Sequence, residues 1–70
     1  MNALKQLAAA LNRAVAEHGR PNSFGCRELK VLYGGPGQMV AGKVGRRNME
    51  GLREEMREIV TYSDGRFCVH

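Results

Sequence analysis

The stretch "CRELKVLYGGPGQMVAGKV", residues 26–44, decides the fold, because whether 38–44 is a strand or a short helix sets the size of the sheet. In its first eight residues Leu29, Val31 and Tyr33 fall on one face while Glu28, Lys30 and Leu32 fall on the other. That period of two predicts a strand. The "GGPG" at 34–37 breaks it, and "QMVAGKV" at 38–44 is expected to return as a second strand of a hairpin, weakened by Gly42.

Working outward toward the N-terminus, "RPNSFG" at 20–25 reads as a polar connector. Before it, Leu4, Leu7, Ala8, Leu11, Ala14 and Val15 draw one apolar stripe at helical spacing. Asn2 is the expected cap, six alanines between 3 and 16 raise helix propensity, and Gly19 followed by Pro21 marks the stop. Toward the C-terminus a second helix is expected, with Asn48 as cap and Met49, Leu52, Met56, Ile59 and Val60 on one side. Gly51 should cost it up to ~1 kcal/mol relative to alanine. The tail "IVTYSDGRFCVH" places "SDG" between two strand-like runs, a turn signal. The expected architecture is a single α+β domain, 1–70, in the order α-β-(β)-α-β-β. Its antiparallel sheet of 3–4 short strands packs against two helices.

Eleven Lys and Arg against seven Asp and Glu leave a net charge of +4. That balance favours acidic partners, either nucleic acid or an acidic protein face. It is also within the range that simply keeps a small domain dissolved. Cys26 and Cys68 are too few for a disulfide scaffold and are expected to be free thiols. The longest apolar run, 7–11, is five residues, shorter than an export signal requires, and nothing approaches a membrane span. A cytoplasmic location without membrane contact is expected.

Catalytic and metal chemistry find little support. Cys68-x-His70, Cys26 and His18 show no zinc-site spacing. Glu50, Glu54, Glu55 and Glu58 read as the solvated face of the second helix, and no Ser or Cys has a nucleophile motif around it. We therefore expect no catalytic residue, no metal and no cofactor.

The feature that stands out is "AGKVGRRNMEGL", 41–52, which gathers Lys43, Arg46 and Arg47 around Gly42 and Gly45 ahead of the expected second helix. A helix start already carries partial positive charge, so cations there are of the wrong sign and predict an anion, carboxylate or phosphate, docked on them. The plain alternative is a solvated loop. Gly42-Lys43-Val44-Gly45 is a GxxG and resembles the signature of KH RNA-binding domains. That resemblance implies a loop between two helices whose N–H groups clamp a nucleic-acid backbone. The apolar residues after it, Met49 and Leu52, stand four and seven positions beyond Gly45, one further than the family pattern. Arg20, Arg27 and Lys30 are secondary basic candidates.

Only four aromatics, Phe24, Tyr33, Tyr62 and Phe67, are present, and three sit in strand-like patterns. Bases would have little to stack on. The expected function is a non-enzymatic protein-binding or inhibitor module whose basic loop, 42–47, meets an acidic surface of a protein or complex. In size and character it is similar to small phage and mobile-element proteins, anti-CRISPR and other anti-defence proteins among them. The alternative is a small RNA- or DNA-binding domain. The apolar stripe of helix 2–18, together with adaptable Met39, Met49 and Met56, suggests a homodimer.

Overall fold

The computed structural model describes residues 2–70. It is α+β, with a small antiparallel sheet and helices in the order α1 (Ala3–His18), β1 (Asn22–Gly25), α2 (Cys26–Tyr33), α3 (Gln38–Arg47), α4 (Met49–Met56), β2 (Val60–Ser63) and β3 (Arg66–Val69). The decisive stretch is therefore two helices joined by a turn, which corrects the hairpin reading of 26–44.

The correction has a local cause. Cys26, Leu29 and Tyr33, at i, i+3 and i+7, are the buried residues of α2, and its interior is rich in helix formers rather than β-branched residues. The alternation that suggested a strand counted Val31, which lies on the solvent side. The Glu28 carboxylate accepts a bond of 3.2 Å from the Gly25 N–H, securing the start of the helix. Gly34, in the left-handed region at φ 72°, ends it, and the Gly35 N–H returns to the Leu29 carbonyl at 2.9 Å.

The first helix forms as its stripe predicts. Asn2 accepts from the Lys5 N–H at 2.8 Å, and Gly19 closes the other end with a 2.7 Å bond to the Val15 carbonyl. Its face is fully used inside the molecule. Leu7, Ala8, Ala10, Leu11, Ala14 and Val15 are all buried, packed against α2, α3, α4 and β1. The stripe suggested for a homodimer is thus covered within one chain.

At 20–25, read as a connector, the chain makes the strand β1. It pairs antiparallel with β3, Phe24 opposite Phe67, and β2 pairs with the other edge of β3, Tyr62 opposite Phe67. The strand order is β1-β3-β2. Asp64 and Gly65, both at positive φ, make the tight turn of the β2–β3 hairpin. Phe24, Val60, Phe67 and Val69 face the helices and are completely or almost completely buried with Leu7, Leu11, Leu29 and Leu52. The second expected helix is α4, which starts after Asn48 as expected but stops at Met56, so Ile59 is exposed and Val60 belongs to β2. Arg53 on α4 donates to the Val60 carbonyl at 2.7 Å, tying helix to sheet.

Candidate functional site

Gly42 and Gly45 lie inside α3, on its buried face. The GxxG is thus helical, and its N–H groups belong to the helix rather than to a clamp. What requires glycine here is Tyr62. A Cβ on Gly45 would stand 2.6 Å from the Tyr62 Cγ, and one on Gly42 would stand 3.2 Å from both the Tyr62 hydroxyl and a terminal guanidinium nitrogen of Arg46. The bare backbone lets the tyrosine ring lie flat against α3, while on its other side the ring meets Phe67 at a centroid distance of 4.6 Å.

Lys43, Arg46 and Arg47 are exposed on α3, and no carboxylate among the described residues pairs with them. Their setting differs from the expected one. Arg46 and Arg47 occupy the last turn of α3, where the helix end is partly negative and attracts cations. They also stand just ahead of α4, which begins at Met49, so the attraction of one helix end offsets the repulsion of the next. The three cations have no acidic partner among the described residues.

The secondary basic candidates separate. Arg20 is paired through two bonds with the Glu58 carboxylate, one of them 3.0 Å long, and so serves the fold. Arg27 and Lys30 are exposed on α2 and unpaired among the described residues. They border an open depression of about 330 Å³ with Val31 and Gln38. Gln38 also borders a second depression, of about 440 Å³, with Met39, Gly42, Arg46 and Tyr62. Gln38 thereby joins the basic side of α2 to the basic end of α3.

The same face carries apolar side chains that the sequence pattern did not single out as a surface. Val31 is 70% exposed and Met39 83%, and Leu32 and Val40 are also well exposed. All four flank the 34–37 turn. Once 26–33 is taken as helical, Val31 falls opposite the Cys26, Leu29 and Tyr33 stripe, and that periodicity is the signal that would have found it.

Burial pushes the Tyr62 phenol above its ordinary value, the adjacent Cys26 thiol adds to the rise, and Arg46 opposes it. Tyr33 is likewise raised, first by burial and then by Glu17. Its hydroxyl contacts the His18 Nε2 at 2.7 Å. No three His, Cys, Asp or Glu side chains gather into a metal-binding set among the described residues. Among the described residues no helix is long and apolar enough to cross a membrane. No protein-family model matches the chain, and no curated protein or solved structure matches it significantly.

Proposed function

We propose that this protein is a non-enzymatic binding module that docks an acidic protein surface through the exposed face of α2 and α3, as an inhibitor or adaptor of a larger complex. One observation carries the reading. Val31, Leu32, Met39 and Val40 stand exposed around one turn, with Arg27 and Lys30 beside Val31, Arg46 beside Met39, and Lys43 and Arg47 further along α3, none of them with an acidic partner among the described residues. Clustered apolar groups with a charged rim, and with Met and Arg prominent, have the composition of a protein interface. Phosphates alone would leave the apolar centre unrewarded.

The test is capture from a nuclease-treated bacterial lysate by the wild type and by Val31→Ser/Met39→Ser. A docked partner is retained by the first and lost by the second. Equal retention by both removes the apolar face from the function.

A second reading, nucleic-acid binding, draws support from a different observation. Two helices joined by the four residues 34–37, rich in glycine, resemble a helix–turn–helix, and the basic side chains lie on its second helix. It requires retention on duplex DNA that falls steeply with salt, with Arg46→Ala reducing the logarithmic slope by about one. No retention at low salt ends it.

A further inference from the structure

The depression beside α3 holds more than a generic basic surface. Arg46 and Tyr62 come from different elements, yet the guanidinium and the hydroxyl meet over buried Gly42, each 3.2 Å from where its Cβ would stand. Both groups donate hydrogen bonds. Side by side on Gly42, the two donors line an open depression whose remaining walls are Met39 and Gln38. No carboxylate among the described residues pairs with Arg46. A guanidinium and a phenol side by side in the wall of one depression suit a carboxylate, which accepts from both at once, while the thioether of Met39 suits the methylenes that precede it.

We infer that this depression receives one acidic side chain of a partner protein, held by Arg46 and Tyr62 where the two meet over Gly42. The inference rests on the proposed docking function and names the anchor of that interface. Charge complementarity selects the occupant: Lys43 and Arg47 add positive potential on the same helix, and Glu28 and Glu58 are engaged elsewhere, with the Gly25 N–H and with Arg20.

The experiment is an NMR titration of the isotope-labelled protein with three probes. These are a synthetic peptide alternating leucine with glutamate, the same peptide with glutamine in place of glutamate, and a mixed-sequence DNA duplex. The glutamate peptide is expected to shift the Gly42 amide and the Arg46 side-chain N–H signals, and the glutamine peptide to bind at least about tenfold more weakly. Arg46→Gln should weaken the glutamate peptide about tenfold, and Arg46→Lys should recover only part, because an ammonium lacks the planar fork. Tyr62→Phe keeps the ring against Gly45 and should cost about threefold. Gly42→Ala is the sharpest variant. Its Cβ would stand 3.2 Å from both donors and push them off their present positions, so it should weaken the peptide more than about tenfold, with a melting temperature within a few degrees of the wild type tying the loss to the pocket.

If the glutamate and glutamine peptides bind equally and move only the Val31 and Leu32 signals, the pocket is not an anchor, although the docking face stands. If the DNA duplex moves Gly42 and Arg46 while the peptides do not, both the pocket and the protein-docking reading fall. Silence toward all three probes overturns both as well.

Discussion

Helix α1 and the α2–turn–α3 segment handle apolar side chains in opposite ways. On α1 every large apolar residue of the central stripe faces the core, and Leu7 and Leu11 are completely buried. On the second segment Leu29 and Tyr33 point inward while Val31, Leu32, Met39 and Val40 point out. A helix whose apolar residues all serve packing shows a clean period. One that keeps some for the surface shows a mixed period, and departures from local consistency of this kind gather at functional regions.

The largest effect that would sharpen this contrast is on the buried side. Leu11→Ala should cost about 2–5 kcal/mol, a large part of the stability of a 70-residue domain, measured as the shift of the urea midpoint. Gly45→Ala comes next. Overpacking against Tyr62 costs about 1–3 kcal/mol, and the better helix propensity returns only about 1, so the net change is destabilising. Gly51→Ala should act in the opposite direction. Its Cβ meets only the end of the Asn48 side chain, which makes no capping bond and can swing away, so a gain of up to about 1 kcal/mol is expected in thermal melts. Arg20→Ala, which loses a partly exposed ion pair, should cost about 0.5–1 kcal/mol and leave partner capture unchanged. At the small end, Val31→Ser and Met39→Ser should each alter stability by no more than about 0.5 kcal/mol while abolishing capture. If either destabilises the fold by as much as Leu11→Ala, the contrast is broken.

A pH series probes the inward side of α2 and the sheet residue beneath α3. Tyr33 and Tyr62 hold their protons more tightly in the folded chain than in the unfolded one, whose phenols titrate near 10.0. Below that value their contribution is fully present. As pH rises past it the unfolded state ionises first, so stability falls until the folded-state values are also passed. The urea midpoint should drop above pH 10, and Tyr33→Phe/Tyr62→Phe should flatten that drop.

These particulars show what the sequence could and could not disclose. The α1 stripe and the Asp64-Gly65 turn were readable because each is fixed by residues close together in the chain. The α+β class followed from the mixture of periods. Strand β1 was hidden because only Phe24 in it is buried and its partner, β3, lies more than forty residues away. Segment 26–33 was misread because Val31 imitates an alternating pattern that only burial could dispel. At the site, Lys43, Arg46 and Arg47 were found as an unpaired set ahead of a helix start, but the helix end that they also occupy was hidden while 38–44 was read as a strand. Gly42 and Gly45 were noticed as a motif, whereas their physical purpose depends on Tyr62, which reaches them from another element. Arg20 could not be told from the other cations without seeing Glu58 beside it.

The arrangement of the sheet carries a consequence for how the molecule is made. Its middle strand, 66–69, is the last of the three in sequence, and both outer strands bond only to it. While the chain emerges from a ribosome, the helical first third can coil as soon as it is clear of the exit tunnel, but no ladder can be laid down until residues 66–69 follow. A protease cut just before Arg66 would therefore dissolve the entire sheet and uncover Phe24 and Val60 together.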